Sequence, residues 1–495
     1  MQETASFGAL NYSICLIYIA VMFGIGLSFA KKQTSTEEYF LAGRRIPWFI
    51  VAISMFASLS SASSYMALPG LAYMENISYI ALGVMYVVAA PFLILLFYPF
   101  YRKLNVTTSY EYIGRRFGQS GRFIVSALFI FMRLIWLGIV IYSPALALSV
   151  VTNINLYLAI ILMGLLATAY TALGGLAAVL WTDALQFLIL TIGAIWIGVS
   201  LLNNVPDGWS GIIEVAHSSG NLDVFSWKIN LFEMSVLALA ISSFFGGMQD
   251  YGTDQITVQR LLATKTFVGM VKATWVNSII TLFMVTLLTF LGIGMLAYFQ
   301  YFPDKLPAGI AGDKLLPFYI ISQLPNGISG LLVTAILAAA MSSMDSGINS
   351  VSTVIINDFI KPLRRRKSEE IKDVKLARIL TVCLGTFAVA IACFVDQLGH
   401  ILKAAAVLTS LFTGPILSLF LMGILMKCAT LRGWLAGVIL NIPIMLWIML
   451  IKEVHFVYFL PFSFGISFML GSMASLLLGG PQAPKNLTLW DRSSS

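Results

Sequence analysis

Runs of about twenty apolar residues recur along the whole of this 495-residue chain, each long enough to cross a bilayer core of roughly 30 Å. Inside such a core no water satisfies the backbone, so segments of this kind must be helices that close their own hydrogen bonds. The fold class that follows is an all-α polytopic membrane protein. Composition agrees, with 59% of residues hydrophobic and 11% charged, against roughly 25% charged in soluble domains. The net charge of +8 gathers in alternate short loops, which points to a lipid bilayer as partner and away from nucleic acid. The first apolar run lacks the basic start and small-residue cleavage site of a signal peptide. Cys15, Cys383, Cys393 and Cys428 show no CxxC spacing and read as small packing residues.

Apolar windows and loop breakers predict thirteen spans, near 9–30, 47–73, 77–100, 122–150, 155–175, 182–203, 232–259, 268–300, 316–358, 376–395, 399–426, 432–451 and 455–479. The ninth is too long for one crossing and includes a short amphipathic segment near 314–324. Loops on one side carry Lys31, Lys32, Arg44 and Arg45; Arg102, Lys103, Arg115, Arg116 and Arg122; Arg260 and Lys265; Lys361, Arg364, Arg365, Arg366 and Lys367; and Lys427 with Arg432. The opposite loops carry scattered charge such as Glu75, Asp207, Asp304, Lys305 and Lys452. The positive side is the cytoplasmic one, which sets the N-terminus outside and the C-terminus inside a plasma (inner) membrane. Residues 1–480 then form one transmembrane domain and 481–495 a cytoplasmic tail. The outer loop 204–231 and inner loop 361–375 are too short to be domains.

Three segments depart from plain apolar helix. The second span holds six serines between Ser54 and Ser64, followed by Pro69 and Gly70. Serine can bond its own backbone and tolerate local unwinding, which frees carbonyls to face a cation; it also permits close helix packing. The seventh span carries Phe245-Gly246-Gly247-Met248-Gln249-Asp250-Tyr251-Gly252-Thr253-Asp254-Gln255. Interrupted helices at corresponding places in two five-helix sets are the sequence mark of a transporter binding site. In the ninth span, Ser342, Asp345, Ser346 and Asn349 fall on one helical face. Asp345 should face the bundle interior with a partner or a cation. Asp183, near the start of the sixth span, is a second such acid, with helix capping beside Thr182 as its alternative role.

Hard cations such as Na⁺ take oxygen ligands, the groups assembled in these segments. His217, His400 and His455 sit singly, so no zinc or haem site is expected, and no Walker-type phosphate loop is present. With no nucleophile–base pair in view, the chain is not expected to be an enzyme. The rival classes are an ion channel lined by the serines and a sensor derived from a transporter. A proton acting through Asp183 or Asp345 could replace sodium.

Several stretches resemble the sodium:solute symporter family: serines 57–64, Tyr170-Thr171-Ala172-Leu173-Gly174-Gly175 with Trp181-Thr182-Asp183, Val258-Gln259-Arg260, and Ala339 through Ser350. The resemblance implies a LeuT-type fold of two inverted five-helix repeats, 47–203 and 232–426. It implies a sodium site from the carbonyls of Ala57, Ser60 and Ala339 with the hydroxyls of Ser342 and Ser343. It also implies a second sodium near Asp183, Ser342, Asp345 and Ser346, where Asp345 stands in place of a hydroxyl. Phe7 through Tyr12, Glu38 through Arg44 and Leu306-Pro307-Ala308-Gly309 are similar to the bacterial sialic acid branch. That branch has a third-helix arginine where Trp136 stands here, and a polar residue where Gly83 stands.

Arg133, eleven residues into its span and on nearly the same face as Trp136, is either a bidentate anchor for a solute carboxylate or half of an internal ion pair, with Asp250 or another acid. Ser61, Ser64, Tyr79, Gln249 and Tyr251 complete the candidate solute pocket. The expected activity is sodium-coupled symport of a small organic solute by a monomer, through alternating access. A sugar acid or monocarboxylate is the first choice of solute and a neutral sugar the second.

Overall fold

The computed structural model describes residues 8–491 apart from 153, 308, 311, 365–369, 396–398, 451–453 and 481–482, with side chains left out also at 147, 150–152, 313 and 399–410. Phe7, Ala308, Arg365, Arg366, Lys367 and Lys452, and the side chain of His400, therefore lie outside the described residues.

The main helices are α1 (Ala9–Ala30), α2 (Trp48–Leu59), α3 (Ala62–Met74), α4 (Ile80–Leu96), α5 (Gln119–Thr152), α6 (Leu156–Asn204) and α7 (Val236–Gly252). They continue as α8 (Gln255–Leu262), α9 (Phe267–Tyr301), α10 (Ile328–Val354), α11 (Glu370–Phe394), α12 (Gly399–Leu425), α13 (Leu431–Leu450) and α14 (Phe459–Leu478). Among the described residues, nine helices are long and apolar enough to cross a membrane, or ten when the bent pair α2–α3 counts as one span. The amphipathic segment expected near 314–324 is the short helix Leu315–Gln323.

The second span breaks as its serines suggest. α2 ends at Leu59, Ser60 leaves the helical region (φ −81, ψ 84), and α3 restarts behind Ser61, with 69° between the two helices. Ser61 caps α3 by accepting from the Ser64 amide at 3.3 Å.

Within the stretch 245–255 the seventh span is interrupted at Thr253–Asp254. α7 runs unbroken through Gly246 and Gly247, and Asp254 caps α8 by accepting from the Ile256 amide at 2.9 Å. The fifth and sixth spans are the two helical parts of α6, which divide at Gly175, and each part is long enough for one crossing. Gly175 turns the chain there with φ 58 and ψ −159, a region essentially closed to residues with a Cβ. The turn lies against the Tyr39 backbone, where a Cβ would meet the carbonyl oxygen at 2.7 Å.

α10 is the centre of the molecule: 83% of its apolar window is buried, and it packs on α1, α2, α3, α5, α6 and α11. A helix enclosed on all sides can carry polar residues only if they pair internally, and α10 carries Ser342, Ser343, Asp345, Ser346 and Asn349, all buried. At its end Asp358 collects Arg122 (2.6 Å), Ser126 (2.6 Å) and Thr108 (2.7 Å). The tail packs back on the protein. Tyr112 donates to the Leu487 carbonyl (3.0 Å), Trp490 to that of Leu425 (2.6 Å), and Lys103 to the Asn486 side chain (3.1 Å).

Candidate sodium and solute site

The last turn of any helix leaves carbonyls without intrahelical partners, and the break after Leu59 presents those of α2 to α10. The Ser342 hydroxyl lies 2.9 Å from the Ala57 carbonyl oxygen and 3.0 Å from that of Ala339. Ser343 places its hydroxyl oxygen, fully buried, without a hydrogen-bond partner. Three of the five residues expected to hold sodium thus meet between α2 and α10, the carbonyls of Ala57 and Ala339 and the Ser342 hydroxyl that bridges them, and Ser343 follows next in sequence. Ser60 sits at the bend itself, its amide donating to Phe56 at 2.9 Å. An all-oxygen cradle with an orphaned buried oxygen fits a hard monovalent cation.

One turn along α10 lies a buried charge cluster. Asp183, fully buried in α6, accepts through Oδ2 from Ser54 (2.5 Å), Ser58 (3.3 Å) and Arg260 (3.1 Å), while its Oδ1 has no partner. Arg260 also donates from Nε to Ser54 (2.8 Å) and from Nη2 to Ser346. Ser346 lies 3.2 Å from the Ser58 hydroxyl and 3.1 Å from Asp345 Oδ1, and the Tyr170 hydroxyl donates to Asp345 Oδ2 at 2.6 Å. Asp183 does not cap a helix: it stands inside α6, and Thr182 bonds the carbonyls of Ala178 and Val179. The interior partner expected for Asp345 is Tyr170.

Arg260 is the functional residue that sequence reasoning misplaced. Counted among the loop charges, it is instead 1% exposed on α8 and bonded to an acid. The signal available was Asp183 itself: a carboxylate at that depth needs a cation, and Arg260 ends an otherwise uncharged run from Gln255.

The expected solute residues divide. Arg133 is paired with Asp254 through Nη2, and its guanidinium lies 4.5 Å from the Trp136 ring centre and 5.5 Å from that of Phe129. Its partner is thus Asp254 and not Asp250, which accepts from Tyr86 at 2.8 Å. Tyr251 packs edge-on to Tyr86 at 5.5 Å between ring centres, and Gln249 lies partly buried half a turn away. Ser61 and Ser64 stand together at the break, their hydroxyls 3.4 Å apart. Tyr79 lies elsewhere, bonded to Glu75 (2.7 Å) in a separate apolar cluster with Leu239 and Tyr458. Gly83 is tight against α9, and a Cβ there would meet the Leu282 Cα at 2.8 Å. No polar side chain fits at that position.

The profile of the sodium:solute symporter family matches residues 39–441. The sodium/sialic acid symporter NanT of Aliivibrio fischeri is 32% identical over 98% of this chain and 94% of its own length. The sodium/sialic acid symporter SiaT of Proteus mirabilis is 30% identical over the whole of both chains. Sodium-coupled monocarboxylate transporter 2 of Mus musculus is 28% identical over 90% of this chain and 73% of its own. A solved substrate-bound, outward-open Na⁺-coupled sialic acid symporter superposes with a TM-score of 0.91 and 27% identity, covering 97% of this chain and all of that one. Mhp1, a nucleobase-cation-symport-1 transporter, shares the fold at TM-score 0.55 and 13% identity, over 90% of this chain and 95% of its own. Match and coverage together make the chain a member of the sodium:solute symporter family.

Proposed function

We propose that the chain is a sodium-driven symporter of a carboxylate, a sugar acid such as sialic acid or a monocarboxylate, with a neutral sugar as the second choice of solute. It is a carrier, not an enzyme, and Na⁺ is its coupling ion. One observation carries the reading: Ser342 bridges the freed carbonyl of Ala57 on the broken span to Ala339, beside the unpaired Ser343 hydroxyl. A cation seated there fixes α2 against α10. The same break presents Ser61 and Ser64 to the solute, so ion and solute each favour the state the other binds. Arg133 takes part in holding the solute carboxylate while shared with Asp254, since a guanidinium has five donors and one nitrogen meets Asp254 here.

The proposal includes a second sodium among Asp183, Ser342, Asp345 and Ser346. It also includes thirteen spans in two inverted repeats (47–203 and 232–426), an outer N-terminus and inner C-terminus, and a monomer working in the bilayer of the plasma (inner) membrane. Support for the count of thirteen comes from ten apolar spans together with a second crossing in α6, one by α7 with α8 and one by α12.

Uptake into proteoliposomes tests the function. Saturable uptake of N-acetylneuraminate that requires an inward sodium gradient is expected. Uptake that persists without Na⁺ and follows a pH gradient would overturn the sodium assignment. Sodium-dependent stabilisation by neutral sugars alone would overturn the role given to a carboxylate.

A further inference from the structure

Sealing Arg133 against Asp254 leaves a second carboxylate nearby without a cation. Asp250 lies one helical turn before Asp254, and its hydrogen-bond partner is the Tyr86 hydroxyl at 2.8 Å; among the described residues no ion pair reaches it. A carboxylate offers about four acceptor sites, and at membrane depth such a group faces a partner or a polar cavity. Asp250 remains partly accessible, so most of its acceptor capacity is unused.

A second observation lies on α9. Asn277 is fully buried, and the Tyr251 hydroxyl approaches its side-chain amide without closing a well-formed hydrogen bond at either end. Buried side-chain amides with no well-formed bond at either end are rare in folded proteins. The Tyr251 hydroxyl faces Asn277 and Thr281, and the Tyr251 ring stands at 87° to that of Tyr86. Asp250, Tyr86, Tyr251 and Asn277 are therefore contiguous. The walls are pinned on both sides of Asn277: Gly83 presses on Leu282, and Tyr98 lies 3.3 Å from the Thr274 hydroxyl.

We propose that Asp250 and Asn277, flanked by the rings of Tyr86 and Tyr251, form the subsite that reads the hydroxyl groups of a polyhydroxylated solute. A carboxylate accepts from hydroxyls, an amide both donates and accepts, and the two rings offer apolar surface to the carbon skeleton between them. The acid end of such a solute is repelled by Asp250 and lies instead toward Ser61, Ser64 and the shared Arg133. This inference rests on the sodium-driven carrier reading and specifies which part of the solute the α4–α7–α9 wall holds.

The test uses the purified full-length protein in saturating sodium, with calorimetric affinities for N-acetylneuraminate, glucose and pyruvate. Asp250→Asn keeps the side-chain shape, and Asn277→Leu keeps its size. Each is expected to weaken the polyhydroxylated ligand roughly ten- to hundredfold, the scale of a lost hydrogen bond to a charged or buried group. Sodium-induced thermal stabilisation without solute should keep its midpoint within about twofold. If Asn277→Leu fails to fold, Asn277→Ser, which withdraws the amide and leaves a smaller side chain, should still weaken binding by about three- to tenfold.

Unchanged affinity in Asp250→Asn, or an equal loss of sodium response and solute affinity, would overturn the subsite. Should the wild-type protein take pyruvate and no hydroxylated ligand, the subsite is wrong while the carrier reading stands. Should it take glucose and no acid, the acid part of that reading is wrong while the subsite stands.

Discussion

The Ser342 hydroxyl on α10 lies 2.9 Å from the Ala57 carbonyl oxygen at the end of α2. This contact spans 285 residues of sequence and joins the enclosed central helix to the broken one. Ser342→Ala removes the bridging oxygen, and Ser343→Ala removes the unpaired one beside it. Each should weaken sodium by about tenfold, on the scale of a lost interaction with a charged group. Sodium titration of the thermal midpoint reads this directly, and transport by either variant with unchanged sodium dependence would contradict the site.

Arg260 and Asp183 form a buried ion pair at 3.1 Å, 1% and 0% exposed. Arg260→Met leaves Asp183 uncompensated and should destabilise the protein by about 3–5 kcal/mol. Adding Asp183→Asn should recover a substantial part of that loss. A double-mutant cycle from denaturation in detergent measures the coupling, and purely additive losses would rule out the pair as a unit.

Gly175 breaks α6 at φ 58, and a Cβ added there would stand 2.7 Å from the Tyr39 carbonyl oxygen. Gly175→Ala combines backbone strain of about 1–3 kcal/mol with a steric clash. A lower thermal midpoint is expected whether or not sodium is present. Equal stability of the variant would mean that the turn can be made in another way.

The docked tail responds to acid. The Thr488 hydroxyl, donating to Asp491 at 2.8 Å, and then Lys427 at 3.4 Å, hold the Asp491 carboxyl below the usual carboxylate range. A depressed carboxyl stabilises the docked state above its unfolded value and loses that contribution as pH falls through the folded one. Protease cleavage of the tail should therefore rise as pH drops below about 4. Asp491→Asn should show the higher cleavage already at neutral pH.

Much of this organisation is legible in sequence, because a bilayer turns length and polarity into strict rules. Six serines between Ser54 and Ser64 mark the break at Ser60, and the spacing of Ser342, Asp345, Ser346 and Asn349 marks the polar face of α10. Other features depend on contacts between distant segments. The stretch 245–255 does not show which residue breaks the helix: Gly247 stays helical and allows close packing, its Cβ position 3.3 Å from that of Ala89, and the break comes at Thr253–Asp254. Arg260 reads as a loop charge because counting positive residues cannot see Asp183 across the bundle. Arg133 had several acids open to it as partner, and the pair that forms depends on Asp254 turning inward as the cap of α8.

The bend between α2 and α3 has an electrostatic consequence. Peptide dipoles leave partial negative charge where a helix ends and partial positive charge where one begins. α2 ends at Leu59 and α3 begins at Ala62, so two opposite poles stand three residues apart. A straight span would carry both poles out to the membrane surfaces. Bent by 69°, this one brings an attraction for cations and an attraction for anions to the same depth, and a bound sodium ion and a bound carboxylate would lower each other's energy through a single stretch of backbone.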